Sequence, residues 1–284
     1  MTIKIGTRRS RLALAQTGLF SERVSEKFPY VNIEIVEFVT HGDRILDKPL
    51  DKIGGKGVFV EEIENALKCG QIDAAVHSAK DLPVCLGEGL EISGVLPRGN
   101  HRDILITRQK TDDYSGFVIG TGSKRRRMNF TKICPDAVFK DIRGNVDTRL
   151  RKLSDGEYDG IILCAAGFER LGISLAQYEV RKFESHEFVP SPCQGIIAAE
   201  CASGSSVSEM IKEISDKETM LCFKTEREII SALGADCTVP VGAYSEISDG
   251  KISVIISDRT GKRVSGVCDV KDRAELVKEL ISSL

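Results

Sequence analysis

Basic and hydroxyl side chains follow several of the predicted strands of this 284-residue chain. Gly120–Ser123 ends one apolar strand and leads into Arg125 and Arg126. Asp141–Asn145 repeats the arrangement, with Arg149 about one helical turn later. Helix N-termini attract anions, and open α/β sheets bind ligands at the carboxyl ends of their strands. These strand ends therefore predict a site for a ligand with several carboxylates or phosphates.

Two further strand ends carry polar residues of the same kind. Arg8 and Ser10 follow the first strand, while Lys80 and Asp81 follow another short apolar strand. Asp81 could act as a general acid or electrostatic partner, or it could cap a helical turn, and the sequence leaves both open. Any single arginine is more often a solvated surface residue. Together the strand ends predict a basic cleft between two αβ domains.

The charge of the chain is near zero overall but unevenly distributed. The formal net charge is −2, whereas residues 120–152 contain ten basic and three acidic side chains. Lys124–Arg127 could also suit nucleic acid, but no aromatic residues interleave it, so we expect no nucleic-acid partner. No apolar run approaches the ~20 residues that span a bilayer, and the polar start lacks a signal-peptide pattern. We expect a cytoplasmic protein with no membrane partner.

The cysteines and histidines show no spacing typical of a disulfide framework or of a metal site. There are nine cysteines without a Cys-x-x-Cys pair, and the four histidines are scattered. This pattern argues against disulfides and clustered zinc, so we expect no bound metal and mostly buried, reduced thiols.

The elements that must position these residues alternate between short apolar strands and helical patterns. This alternation predicts an α/β fold of two αβ domains with mostly parallel sheets. The pattern changes near the end, where a helix and three strands with turns between them predict a small α+β domain with an antiparallel sheet. The predicted domains are residues 1–96 with 191–212, residues 97–190, and residues 213–284.

One long segment resists assignment to a helix or strand. His41–Gly57 contains four glycines among charged side chains. Loops of this length are usually functional or disordered, so the segment is either a lid over a site or a solvated surface loop.

Motifs along essentially the whole chain resemble, in order, those of the porphobilinogen deaminase (hydroxymethylbilane synthase) family. Each motif is modest alone, but the ordered set is specific. The resemblance implies a monomer with two periplasmic-binding-protein-like domains and a third domain that carries a cysteine loop. The motifs are Gly6–Ser10, Gly54–Phe59, His77–Pro83, Gly120–Ser123, Arg143–Leu150, Gln194–Gly195 and Cys237–Gly242.

The resemblance also implies a reaction and a set of site residues. Four porphobilinogen molecules are condensed head-to-tail with loss of ammonia on a dipyrromethane cofactor, which is joined to Cys237 by a thioether, and hydrolysis releases hydroxymethylbilane. Asp81 is implied to stabilise the azafulvene cation that forms as ammonia leaves. The residues implied to bind the cofactor are Cys237, Ser78, Lys80, Asp81, Thr121, Ser123, Arg125, Arg126, Arg143 and Arg149. Those implied to bind substrate are Arg8, Ser10, Lys52, Lys56, Phe59, Arg143, Arg149 and Gln194.

The chain departs from the family pattern at several positions. It has Ala235-Asp236 where Gly-Gly usually precedes the cysteine, and Gly122, Lys124 and Cys193 where Ser, Leu and Gly are usual. An alternative from another class is a non-catalytic, two-lobed anion-binding protein, which would need neither Asp81 nor Cys237.

Overall fold

The computed structural model describes residues 1–40, 60–235 and 239–284. By their contacts these residues form two compact units: unit 1 is Met1–Gly99 with Gly195–Phe223, and unit 2 is Asn100–Gln194 with Lys224–Leu284. The division into three domains stays a prediction.

The elements follow one another in the predicted alternation. In chain order the strands are β1 (Thr2–Arg8), β2 (Asn32–Phe38), β3 (Ala74–Ser78), β4 (Leu90–Val95), β5 (Asp103–Thr107), β6 (Val118–Gly120), β7 (Val138–Lys140), β8 (Gly160–Cys164), β9 (Glu179–Lys182), β10 (Ile197–Ala202), β11 (Gly242–Ser248), β12 (Lys251–Ser257) and β13 (Arg263–Asp269). The helices are α1 (Arg11–Lys27), α2 (Glu61–Lys68), α3 (Lys124–Thr131), α4 (Val146–Ser154), α5 (Ala165–Leu171), α6 (Ser206–Ile214), α7 (Lys217–Ala232) and α8 (Arg273–Ser282).

Each unit contains one five-stranded sheet, and the two sheets share a topology. The strand order is β2-β1-β3-β10-β4 in unit 1 and β7-β6-β8-β5-β9 in unit 2. In each sheet four strands run in one direction, and the fourth in spatial order, β10 or β5, runs against them. The antiparallel strand is the first one after the chain crosses between units. The expected α/β class with mostly parallel sheets is confirmed.

Both faces of the unit 1 sheet are covered, as its continuous apolar strands predict. Ile5 and Val76 pack with Phe20 of α1 on one face, and Ala75 packs with Ile63 of α2 on the other. Phe20, Ile63 and Ile5 are fully buried. Burying each such side chain contributes roughly 1.5–3 kcal/mol. The sheet is therefore a rigid base for the residues at its strand ends.

The end of unit 2 contains the three-stranded antiparallel sheet that the sequence predicts. β11, β12 and β13 form an antiparallel sheet, with Gly242 opposite Ser257 and Lys251 opposite Asp269. The turn between β11 and β12 contains Asp249 and Gly250 at positive φ, the conformation for which glycine is favoured. α7 and α8 pack on this sheet through apolar residues.

The cysteines of the described residues are free but less buried than expected. Among the eight in the described part of the chain, Cys193, Cys201 and Cys222 are buried, while Cys69 and Cys85 are exposed. The expectation that most are buried was wrong, because Cys69 and Cys85 lie just beyond a helix and in a surface loop rather than on a core face. Burial raises the pKa of the Cys201 thiol to about 12, so this thiol is unreactive.

Two kinds of feature are absent from the described residues. Within 1–40, 60–235 and 239–284, no helix combines the length and apolarity needed to cross a bilayer. In the same ranges, no three His, Cys, Asp or Glu side chains cluster so as to hold a metal ion.

Candidate active site

Asp81 lies directly beyond the end of β3. The chain leaves this strand at Ser78 and makes a single 3₁₀ turn, Ala79–Asp81. Asp81 is exposed, and no described residue hydrogen-bonds or ion-pairs with its carboxylate. It is the last residue of the turn rather than a helix N-cap, so the capping alternative does not apply. A carboxylate left free in this way is available to a ligand.

A pocket in unit 1 brings four of the predicted residues together. Arg8, Ser10, Ser78 and Asp81 all line it. Ser10 is at the first turn of α1 because it is the helix N-cap, and its Oγ accepts a hydrogen bond from the Ala13 amide at 3.2 Å. The ends of β1 and β3 meet here because these two strands are neighbours in the sheet.

Two residues of this pocket were missed from the sequence. Gln16 lies about one and a half helical turns beyond Ser10. Its Oε1 accepts a hydrogen bond from Ser78 Oγ at 3.0 Å. His77 also lines the pocket, and its Nε2 lies 3.1 Å from Glu200 Oε2. Gln16 could have been found as a polar residue on the otherwise apolar face of α1. No local signal connects His77 with Glu200, since they are far apart in the chain.

Unit 2 places a buried ionic network beside its strand ends. Arg125 Nη2 lies 2.7 Å from Asp103 Oδ2, and Arg126 Nε donates to Asp103 Oδ1 at 3.0 Å. Gln194 Nε2 also donates to Asp103 Oδ1, at 3.1 Å. Burial lowers the pKa of Arg125, and the negative charge of Asp103 opposes that effect. Arg125, Arg126 and Gln194 therefore already hold a buried carboxylate, and their binding of a ligand stays a prediction.

The loop after β6 has the geometry expected of an anion-binding strand end. Ser123 is the N-cap of α3 and accepts a hydrogen bond from the Arg126 amide at 3.3 Å. Thr121 is buried, and its Oγ1 accepts from the Ser123 amide at 3.2 Å. A Cβ at Gly122 would meet only Asp141 Oδ1, at 3.7 Å, so the serine usual in the family would fit here.

Arg149 stands out among the basic residues of unit 2. It lies on α4, and its Nε donates to the Gly144 carbonyl at 2.8 Å. Burial lowers its pKa to about 10, and the positive charges of Arg126 and Arg143 act in the same direction. Among the described residues no acidic side chain pairs with its guanidinium. A half-buried cation among like charges is suited to an anionic ligand.

The remaining predicted residues divide between solvent-accessible and undescribed positions. Lys80 is half-buried beside Asp81, and Arg143 is half-buried in the loop before α4. Lys52, Lys56, Phe59 and the proposed lid His41–Gly57 lie outside the described residues, and so does Cys237.

Comparison with known proteins identifies the family. Residues 3–210 match the family model described as "Porphobilinogen deaminase, dipyromethane cofactor binding domain", and residues 220–284 match "Porphobilinogen deaminase, C-terminal domain". The porphobilinogen deaminase of Bacillus velezensis is 44% identical over 87% of this chain and 80% of its own length. That of Streptococcus sanguinis is 35% identical over 99% of this chain and 95% of its own length.

The similarity of this chain to solved structures is far weaker than its similarity to these sequences. The Bordetella pertussis BvgS periplasmic VFT2 domain covers 75% of this chain and 86% of its own, with 13% identity and a TM-score of 0.45. At that level it adds nothing to the assignment, which depends on the sequence matches. The chain belongs to the porphobilinogen deaminase family, whose dipyrromethane cofactor binding domain it contains and which acts in tetrapyrrole biosynthesis.

Proposed function

We propose that this chain condenses four porphobilinogen molecules head-to-tail, with loss of ammonia, on a dipyrromethane held by a thioether to Cys237, and releases hydroxymethylbilane by hydrolysis. The proposal includes a monomeric enzyme of the cytoplasm. Free thiols at all eight cysteines of the described residues are consistent with a reducing compartment.

The pocket around Asp81 is the observation that carries the proposal. Its carboxylate has no partner among the described residues, although Arg8 lines the same pocket. A stabilising ion pair would neutralise such an acid, whereas a free one can meet a positive charge that develops during a reaction. Ser10 and Gln16 add neutral hydrogen-bonding groups to the pocket.

The basic residues of unit 2 fit the dipyrromethane group. Each of its pyrrole rings carries an acetate and a propionate, so it needs several cationic partners. Arg149 is half-buried without an acidic partner in the described residues, and Arg143 is close enough to depress its pKa. We assign cofactor carboxylates to Arg143 and Arg149 first, with the hydroxyls of Thr121 and Ser123 as further donors.

In this mechanism the chain's own residues bind, orient and stabilise charge. When bound, dipyrromethane supplies the pyrrole carbon to which the first porphobilinogen is joined. Asp81 accepts a hydrogen bond from the pyrrole N–H of the substrate and places its negative charge against the cation that develops as ammonia leaves. Arg8 and Ser10 bind a substrate carboxylate, which orients the aminomethyl group toward Asp81.

The role of Cys237 is tested by mass. The denatured protein should exceed its sequence mass by two pyrrole units, and digestion should locate them on the Cys237 peptide. Cys237→Ser should lack this mass and make no tetrapyrrole, whereas Cys85→Ser, a change at an exposed cysteine, should keep both properties. An active protein with an unmodified Cys237 would contradict the proposal.

The role of Asp81 is tested by turnover. Asp81→Asn should reduce kcat by about 10²-fold or more, because an amide cannot offset a developing positive charge. Its melting temperature should stay near the parent value, since Asp81 has no partner to lose in the described residues. Asp112→Asn is the matched change at another exposed aspartate and should leave kcat unchanged. Equal kcat in both variants would contradict the role of Asp81, whereas the non-catalytic anion-binding alternative predicts no turnover in the parent or in either variant.

A further inference from the structure

Gln16 is a polar residue on the buried face of α1, and the proposed mechanism gives it no contact with the substrate. It lies about one helical turn before Phe20, a fully buried residue that packs on the sheet, so both side chains are on the same face of the helix. The exposed fraction of Gln16 is 3%. It nevertheless lines the pocket that contains Arg8, Ser10 and Asp81. A glutamine that is almost fully buried and still reaches a pocket is placed to meet a ligand there.

One hydrogen bond fixes the orientation of the Gln16 amide. Ser78 Oγ, at the end of β3, donates to Gln16 Oε1 at 3.0 Å. The amide oxygen is therefore directed at Ser78, and Nε2 is on the other side of the planar group. Rotation of the amide by half a turn would exchange these two atoms and break this hydrogen bond. Ser78 thus determines on which side Gln16 is a donor.

The Nε2 group of Gln16 is available to a ligand. No described residue accepts a hydrogen bond from it. It is also not one of the unpartnered side-chain atoms of the described residues that are enclosed by protein. Nε2 therefore reaches accessible space, and the pocket is the accessible space that this buried residue lines. An amide carries two N–H donors, which are offered to the pocket.

The chemistry of porphobilinogen decides which of its groups can accept these donors. Its pyrrole N–H and its aminomethyl group, which is protonated at neutral pH, are hydrogen-bond donors. Its acetate and its propionate are the acceptors. An N–H donor at Gln16 therefore selects a carboxylate, whereas the carboxylate of Asp81 selects the pyrrole N–H or the ammonium group.

We propose that Gln16, oriented by Ser78, is a specificity-determining residue whose amide N–H binds a carboxylate of porphobilinogen in the Asp81 pocket. The inference rests on the proposed function for the identity of the ligand. The hydrogen bond is strengthened by the charge of the carboxylate, and it adds a neutral donor beside Arg8. Ser78 is a positioning residue in this contact, because a rotated amide would present Oε1 to the carboxylate.

The first experiment observes the amide directly. The cofactor-loaded enzyme, labelled with ¹⁵N-glutamine, is titrated with a pyrrole that carries acetate and propionate but no aminomethyl group. The side-chain amide signal of Gln16 is assigned through its own backbone amide, so no variant is needed. A saturable shift of its amide protons to lower field, with exposed Gln71 unchanged, is the expected result. Binding of this pyrrole without any change at the Gln16 amide overturns the proposal.

The second experiment separates binding from turnover. Gln16→Met keeps an unbranched side chain and removes both N–H donors, so KM for porphobilinogen should rise about tenfold while kcat changes less than threefold. Gln16→Glu keeps the acceptor for Ser78 but puts a negative oxygen in place of Nε2. At pH 8 its KM should rise further than that of Gln16→Met, because two carboxylates would face each other. Gln71→Glu, the same change at an exposed glutamine of unit 1, should leave both constants unchanged.

The order of the two variants distinguishes binding from a merely structural role. If Gln16 only supported the packing of α1, Gln16→Glu would be the milder change, because it keeps the hydrogen bond from Ser78. A KM for Gln16→Glu at or below that of Gln16→Met therefore overturns the proposal. If both variants fail to fold, the titration of the parent enzyme decides alone.

The two proposals fail in different ways. If the parent enzyme makes no tetrapyrrole from porphobilinogen, the proposed function is wrong. If the parent is active and Gln16→Met keeps the parent KM, the proposed function stands and the role of Gln16 is wrong.

Discussion

Each unit buries one carboxylate on the strand that runs against the rest of its sheet, and the two carboxylates have different surroundings. In unit 2, Asp103 of β5 accepts from Arg125, Arg126 and Gln194. In unit 1, Glu200 of β10 has the imidazole of His77 at 3.1 Å, without an aligned hydrogen bond between them. Both carboxylates are fully buried.

The difference shows how one topology supports two electrostatic roles. Two guanidinium groups stay charged at any ordinary pH, so Asp103 is in a permanent network that joins β5 to α3. At Glu200, by contrast, neither carboxylate oxygen makes a hydrogen bond within the described residues. The first arrangement anchors two elements of the fold to each other, whereas the second leaves its carboxylate without hydrogen bonds in the described residues.

The largest expected effect tests the permanent network. Asp103→Asn should lower the free energy of unfolding by about 3–5 kcal/mol, because it leaves two buried guanidinium groups without a counter-charge. Urea unfolding measures this loss. Asp141→Asn, which removes the exposed partner of Arg127, should cost at most about 1 kcal/mol. Equal losses in the two variants would mean that burial does not distinguish these ion pairs.

The matching change in unit 1 should have a smaller effect. Glu200→Gln should alter the free energy of unfolding by no more than about 1 kcal/mol, because no well-aligned hydrogen bond is lost and a buried charge is removed. The same urea titration applies. A loss as large as that of Asp103→Asn would show that the two buried carboxylates are equivalent.

Arg149 extends the comparison to a basic residue, because no acidic side chain of the described residues pairs with its guanidinium. Its pKa in the fold is about 10, below the usual 12.5, so the folded state disfavours its charge at neutral pH. Arg149→Met should therefore raise the unfolding free energy of cofactor-free protein by up to about 1 kcal/mol at pH 7 while impairing cofactor loading. The gain should shrink as the pH rises from 10 toward 12.5. Exposed Arg151→Met is the control, and a clear loss at pH 7 would contradict this reading.

Glu64→Gln should give the smallest effect, and the size of this effect depends on pH. Burial raises the pKa of this carboxyl, and the charge of Glu200 raises it further. A raised acid pKa means that the ionised group weakens the fold, and that this weakening disappears as the pH falls through the folded pKa toward 4.5. Glu64→Gln should therefore melt slightly higher than the parent at pH 8, and the difference should vanish near pH 4. A difference that grows on acidification would contradict the assignment.

Much of the fold followed from local patterns. The strand ends at Ser10 and Ser123 were both predicted, and each serine is the N-cap of the following helix and accepts an amide hydrogen bond. β9 was not predicted, because Glu179–Lys182 is too short and polar to show a strand pattern. The shared strand order of the two sheets was also missed, since topology can repeat without any repeat of sequence.

Some residues of the candidate site were predicted and others were not, because local patterns show strand ends but do not show contacts between distant segments. Arg8, Ser10 and Asp81 were identified because each lies at or shortly beyond the end of a strand, and neighbouring strands bring their ends together. The ion pairs of Arg125 and Arg126 were not predicted, because their partner Asp103 is more than twenty residues away along the chain. The contact between His77 and Glu200 spans a still longer separation.

The sequence by itself determined the α/β class, the strand ends that carry polar residues and the family resemblance, because short-range periodicity, helix caps and ordered motifs are local properties. Only the tertiary structure decided which charges are compensated. Burial and pairing depend on strands that the chain brings together from distant segments, so the same residue type is a structural anchor at Arg125 and a candidate ligand-binding group at Arg149.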